Sequence, residues 1–235
     1  MNPSNAHAPL LELQNASLTL GDGIGRVDAL VDVNLTVAAG ELVAVTGGSG
    51  YGKSSLLNVA GGLTPLSSGS AIVGGENMAG LSPRDLAARR RRSIGYVFQD
   101  LNLLPTLTAV ENVAFPLELD GIAVGEARAA AEAALERLEI ADLAARFPDE
   151  MSGGQRQRVA IARGMVGERR LLLADEPTGA LDEVTAEQVM KLIRSLCDDG
   201  AAALVVTHDP SLAAWADRVV RLRDGRIDSI TEAAT

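Results

Sequence analysis

Cysteine, long apolar runs, positive charge and aromatic residues are all scarce in this chain, and each scarcity excludes something. There is one cysteine, Cys197, which has no partner for an internal disulfide, as fits a reducing compartment. It falls late in a helical pattern, Ala186 to Cys197, where packing is a simpler role than chemistry. The longest apolar runs, "LLLA" and "ALVV", fall far short of the roughly 20 residues that span a bilayer. The opening "MNPSNAHAPL" has no basic stretch followed by an apolar one, so no secretory signal is read there. We expect the chain to stay in the cytoplasm, with any link to a membrane made through a partner. Its 21 lysines and arginines face 31 aspartates and glutamates, for a net charge of −10. General nucleic-acid binding needs a basic surface, so no nucleic-acid partner is expected. The one basic cluster, Arg89 to Arg92, reads most simply as a solvated face.

What is present is enough for a substantial core. A chain of 235 residues, 47% of them hydrophobic, suits one large domain or one domain with a sizeable insertion. The first forty residues alternate, "LLELQNASLTL" and then "ALVDVNLTVAAGE", and predict short antiparallel strands around the turn "GDGIG". "ELVAVTG" is a buried strand leading into a glycine loop, "KSSLLNVAGGL" a helix, and "GSAIVGGE" another short strand. From Leu101 to Glu150 the composition turns helical, with "VGEARAAAEAALERLEI" rich in helix formers at i, i+4 charge spacing. Buried strands "RLLLAD" and "ALVVTH" follow, each with a helix after it, and "RVVRLRDGRIDSI" is a hairpin turning on Asp224-Gly225. Strands alternating with helices imply a mainly parallel sheet covered on both faces.

The chemistry gathers at strand ends. "GGSGYGKSS" places Gly47, Gly48, Ser49, Gly50, Tyr51, Gly52, Lys53, Ser54 and Ser55 between a strand and a helix, and completes G-x-x-x-x-G-K-[ST]. Such a loop wraps phosphates with backbone N–H groups, while Lys53 neutralises their charge and the Ser54 hydroxyl reaches Mg²⁺. By chance the pattern arises in only ~1% of chains this size. Lysine is otherwise nearly absent, Lys191 being the second of two. In "LLLADEPTGALD" an apolar strand delivers Asp175, placed to hold Mg²⁺ through water, and Glu176, placed to deprotonate an attacking water. Gln99, after the short strand in "YVFQD", has an amide able to coordinate Mg²⁺ and sense a γ-phosphate. His208, in "VVTHD", lies at another strand end; the second histidine, His7, is near the N-terminus. A further helix, read as Arg156 to Met165, is preceded by "MSGGQ", where glycines at the positive end of a helix dipole suit an anion. One chain thus carries two phosphate-grasping helix ends.

Taken together, the phosphate loop, Gln99, "SGGQ", "LLLADEPTGALD" and His208 resemble, in order and approximate spacing from about residue 11 to 230, the ATP-binding-cassette (ABC) ATPases. The resemblance implies an α/β, P-loop NTPase (RecA-like) fold: a mainly parallel core with an antiparallel β subdomain, over residues 1–100 and 158–235, and a helical insertion over about 101–157. It implies that ATP and Mg²⁺ are bound, with Glu176, His208 and Lys53 catalytic and Ser54, Gln99 and Asp175 about the metal. Ser152, Gly153, Gly154 and Gln155 become the signature motif, and Ala180-Leu181-Asp182 the loop crossing to a partner. In such a head-to-tail homodimer each ATP lies between the phosphate loop of one copy and the signature helix of the other, which accounts for the second helix end.

"IGYVFQDLNLLPTLTAVENVAFPLEL", "GGLTPLSSGS" and "ADEPTGALD" look most like the subgroup that powers lipoprotein release and macrolide export. That likeness implies a separate integral-membrane permease with a large extracytoplasmic domain, driven by mechanotransmission, with the ATPase held peripherally at the cytoplasmic face of the membrane. Leu101, Leu103, Leu104 and Phe115 either meet the permease or pack within the helical lobe. The alternative is a division-type ATPase that regulates a cell-wall hydrolase through its permease. Soluble DNA-repair relatives carry long coiled coils where only residues 54–151 intervene here, and intact Glu176 and His208 argue against a binding module without turnover. Some positions depart from the family pattern. Met151, Ser55 and Gly48 are mild changes, and Tyr51 is expected to point outward. Leu20 stands where the family commonly stacks adenine on an aromatic, and no aromatic precedes Tyr51. Leu20 and Val27 are then an apolar floor for the base, with poor discrimination between ATP and GTP expected.

Overall fold

A computed structural model of the chain describes residues 9–232, including every side chain in that range except that of Ile24. His7 and most of the N-terminal stretch read for a signal lie outside the described residues. Two long strands open the fold, β1 (Pro9–Leu20) and β2 (Val27–Ala38), paired antiparallel. At 12 residues each they exceed the short strands expected. The reason is a change of phase: Leu11 and Leu13 face inward, but beyond a register shift so do Ala16 and Leu18, and Asn15 between them has φ 46°. A bulge of this kind interrupts period-2 alternation while the ladder continues.

There follow β3 (Leu42–Thr46), α1 (Lys53–Ala60), β4 (Ser68–Val73), β5 (Glu76–Asn77), α2 (Pro83–Ser93), β6 (Ile94–Val97), α3 (Ala109–Leu119), α4 (Val124–Arg137), α5 (Gly153–Met165), β7 (Leu171–Asp175), α6 (Glu183–Asp198), β8 (Ala202–Val206), α7 (Pro210–Ala213), β9 (Arg218–Arg223) and β10 (Arg226–Glu232). One sheet is antiparallel, in the order β2-β1-β4-β5. The other runs β10-β9-β3-β8-β7-β6, parallel except for β10. The final hairpin turns on Asp224 and Gly225, both at positive φ.

The larger sheet is buried on both faces, so its strands read as unbroken apolar runs. Alternation along β7 shows the two layers. Leu171 and Leu173 join a core with α1 and the antiparallel sheet, built from Leu11, Leu35, Leu56 and Leu57. Leu172 and Ala174 face a second core that runs through α5 and α6 into α3 and α4, with Val113, Leu135, Ile161 and Ile193. Cys197 is fully buried in that second core, and burial pushes its thiol up to about 12.

Helix α2 was not visible in the sequence, and the basic cluster on it is not a free solvated face. Ser82 caps the helix, accepting from the Asp85 N–H at 3.2 Å. Arg89 donates to the Val73 carbonyl, Arg90 to that of Gly62, and Arg91 pairs with Asp120 at 2.7 Å. Of the four arginines only Arg92 is exposed. Helix α5 begins at Gly153, three residues before the expected Arg156.

Candidate functional site

The parallel strands deliver their following loops to one edge of the sheet, where ligands of open α/β sheets bind. One cleft of about 700 Å³ is lined there by Gly47, Ser49, Gly50, Gly52, Lys53, Ser54 and Ser55 from the loop after β3. Gln99 reaches it from beyond β6, Asp175 and Glu176 from the end of β7, and His208 from beyond β8. Leu20 and Val27, at the tip of the first hairpin, complete it together with Asp28, Ala29, Asp224 and Gly225.

The loop's glycines are required by its conformation. Gly52 has φ 93° and its missing Cβ would lie 2.3 Å from the Ala29 carbonyl oxygen; that of Gly47 would lie 2.5 Å from that of Leu222. Gly52 offers no side-chain cap to α1, so the first-turn N–H groups remain available to an anion at the positive end of the helix. Lys53 Nζ donates to the Gly47 and Gly48 carbonyls at 2.9 and 3.0 Å, holding its charge beside those amides. Gly48 and Tyr51 do not line the cleft. Tyr51 folds back over Gly48, its ring 3.0 Å from where a Cβ would stand, and is half-buried rather than pointing outward.

Glu176 has φ 50°, a left-handed conformation uncommon for a residue with a side chain, and its N–H is held by the Val206 carbonyl at 3.0 Å. Its Oε2 lies 2.5 Å from His208 Nδ1. The carboxylate is mostly shielded while the imidazole is exposed. A carboxylate so oriented can accept a proton from water, and the imidazole can steady it. Ser54, Gln99 and Asp175 bring a hydroxyl, an amide carbonyl and a carboxylate to the same cleft, hard oxygen donors suited to Mg²⁺. Among the described residues no group of three or more His, Cys, Asp or Glu is placed to hold a metal. Three such donors would leave the remaining positions of an octahedral Mg²⁺ to water and substrate phosphates.

Ser152, Gly153, Gly154, Gln155 and Asp182 line no part of this cleft. Their contacts are with each other and with the start of α6: Gly153 stands near Leu181, and both Gly154 and Asp182 stand at Thr185. Ser152 and Gln155 form a capping box, with Ser152 Oγ accepting from the Gln155 N–H and Gln155 Oε1 from the Ser152 N–H. Ser152 is exposed, whereas Gly154 is buried, and a Cβ there would meet Thr185 Cγ2 at 2.3 Å. Asp182 caps α6 through the N–H and hydroxyl of Thr185, at 3.0 and 2.7 Å, and those hydrogen bonds hold its carboxyl below the usual range.

Sequence reasoning missed Arg163 and Asn112. Arg163 donates to the Leu101 and Asn102 carbonyls just after Gln99, and Asn112, fully buried, binds the Leu104 N–H and the carbonyls of Leu104, Leu107 and Thr108. Buried polar groups in a helical run are the signal that marks them. Leu101 and Leu103 pack on the core, while Leu104 and Phe115 are exposed, so the four split between the two alternatives.

Comparisons with known proteins agree with this geometry. The profile of the family described as ABC transporter matches residues 30–179. The chain is 43% identical over 226 residues to the macrolide export ATP-binding/permease protein MacB of Brucella melitensis biotype 1, covering 96% of this chain and 35% of that one. It is 44% identical over 222 residues to MacB of Neisseria gonorrhoeae, covering 94% and 34%. The chain thus spans about a third of the length of these curated relatives. A dimeric post-hydrolysis state of the ATP-binding cassette MJ0796, bound to ADP and Pi, matches with a TM-score of 0.86 at 37% identity, over 96% of this chain and 99% of that one. The chain belongs to the ABC transporter family, as one of its ATPase cassettes.

Proposed function

We propose that the chain is the motor of an export or lipoprotein-extraction complex. It hydrolyses ATP in composite sites made by two copies and drives a membrane permease of the large-extracytoplasmic-domain type by mechanotransmission. The observation that carries this reading is a separation. The phosphate loop, Lys53, Asp175, Glu176 and His208 share one cleft, while the exposed Ser152 at the start of α5 lies outside it. A second anion-binding helix end that its own cleft does not use is explained if it serves the cleft of another copy. The dimeric structure of the MJ0796 cassette supports this, as does the similarity to MacB, an ATP-binding/permease protein that carries both parts in one chain.

In this reading the loop amides and Lys53 hold the β- and γ-phosphates, and Ser54, Gln99 and Asp175 hold Mg²⁺, which supplies charge neutralisation. Glu176 takes a proton from the water that attacks the γ-phosphorus, the bond to ADP breaks, and His208 positions the Glu176 carboxylate and the γ-phosphate. Because that phosphate bridges the two copies, its release removes the contact that closes the dimer. Leu104 and Phe115, both exposed, offer the permease an apolar foothold and keep the motor peripheral at the cytoplasmic face of the membrane.

The test is Glu176→Gln, which removes the base and leaves the cleft's shape. It should lose ATP hydrolysis by at least about a hundredfold and elute as a dimer from size exclusion in ATP and Mg²⁺. A variant that turns over at the wild-type rate would refute the role given to Glu176.

A further inference from the structure

Gln99 is exposed, so the backbone on either side of it, and not its own side chain, sets where its amide stands in the cleft. Downstream the chain passes through Leu101 and Asn102, at φ 58° and 48°, and Arg163 of α5 holds their carbonyls at 2.6 and 2.5 Å. Upstream the chain leaves β6 through Phe98, whose ring stacks on that of Tyr96 with centroids 4.2 Å and planes 23° apart. The Tyr96 hydroxyl in turn donates to Asn58 Oδ1 at 3.0 Å. Asn58 belongs to α1, about one helical turn beyond Ser54.

The ring of Tyr96 is set against the end of that helix, where a Cβ on Gly61 would stand 3.3 Å from it and 3.2 Å from Leu173. In the sheet Tyr96 pairs with Leu173, two residues before Asp175. One side chain thus links the strands that deliver Gln99 and Asp175 to the helix that opens with Lys53 and Ser54. Burial, with the Asp175 charge nearby, pushes the phenol up, so it stays protonated and keeps donating. Phenylalanine would fill the same space and stack equally well. What tyrosine adds is the single tie to Asn58, and a hydrogen bond shielded from water is a firm link between two elements.

We propose that Tyr96 is a positioning residue: through Phe98 and Asn58 it holds Gln99 in place relative to Ser54 on the metal side of the cleft. This rests on the reading of the cleft as a nucleotide site with Gln99 beside Mg²⁺. The test is the calorimetric affinity of the full chain for a non-hydrolysable ATP analogue, in Mg²⁺ and in EDTA. Wild type, Tyr96→Phe, Asn58→Ala, Gln99→Ala and the Tyr96→Phe/Gln99→Ala double variant are compared. The gain from Mg²⁺, the ratio of the two affinities, should fall by about two- to tenfold in Tyr96→Phe. Its affinity in EDTA should not move. Asn58→Ala, which removes the acceptor instead of the donor, should lower the gain in the same way. Gln99→Ala should lose at least as much, and adding Tyr96→Phe to it should cost nothing more. A tyrosine that only packs would weaken binding alike in Mg²⁺ and in EDTA, and that result overturns the proposal. So does a full gain in Tyr96→Phe beside a loss in Gln99→Ala, or an additive loss in the double variant. A full gain in Gln99→Ala overturns the metal reading of Gln99 and the proposal with it, so the Gln99→Ala arm tells the two failures apart.

Discussion

Glu176 shows how much of the site depends on single positions. Its left-handed φ of 50° is held by a backbone hydrogen bond to Val206 and turns the carboxylate to His208. Both side chains line the cleft, so the proposed mechanism expects their replacement to alter chemistry more than packing. Two other residues make predictions independent of turnover. Cys197 is buried with its thiol pushed up to about 12, so at pH 8 it stays protonated and shielded. Ellman's reagent should label no thiol in the native chain and one per chain in denaturant; prompt native labelling would contradict the burial. Asp182 caps α6, and its hydrogen bonds to Thr185 lower its folded pKa below the ordinary 3.8. A lowered carboxylate contributes stability that is complete above the unfolded value and fades as pH falls through the folded one. Asp182→Asn should therefore melt below wild type at pH 7, with the gap narrowing below about pH 4; a gap constant down to pH 2 would refute the cap.

Among the elements, α5 connects the two regions that matter to the mechanism. Its first turn carries Ser152 and Gly154, and farther along it crosses β6, the strand that leads to Gln99. That crossing is glycine on glycine: a Cβ on Gly95 would lie 2.3 Å from the Gly164 carbonyl oxygen. Gly95→Ala should force the helix off the strand at a cost of about 1–3 kcal/mol, read as a lowered denaturation midpoint. Unchanged stability would mean the contact is looser than described.

The elements also show what the sequence could and could not disclose. The strands β3, β7 and β8 were legible because sheets buried on both faces leave unbroken apolar runs, and the phosphate loop because only glycines fit its backbone. The full length of β1 was not, since the bulge near Asn15 reverses the alternation midway. Helix α2 stayed hidden because its arginines look like surface charge, yet they clasp the carbonyls of Val73 and Gly62 and the Asp120 carboxylate. Within the site, Leu20 and Val27 line the phosphate loop's cleft, while the placement of Tyr51 was not legible because nothing local reveals that its ring covers Gly48.

For the whole molecule the consequence is incompleteness. The loops that the proposed reading assigns to a triphosphate and its metal meet in one cleft, but the exposed capping serine of α5 meets none of it. In the proposed reading, hydrolysis would be coupled to opening and closing between copies, the motion that would be passed to a permease. The same arrangement makes activity depend on assembly. The most direct measurement is the ATPase rate per chain, in Mg²⁺ and saturating ATP, as the purified chain is diluted from micromolar to nanomolar concentration. The rate per chain should fall once copies separate, and Ser152→Arg should abolish it at every concentration. A rate per chain that stays constant on dilution and survives Ser152→Arg would contradict that dependence on assembly.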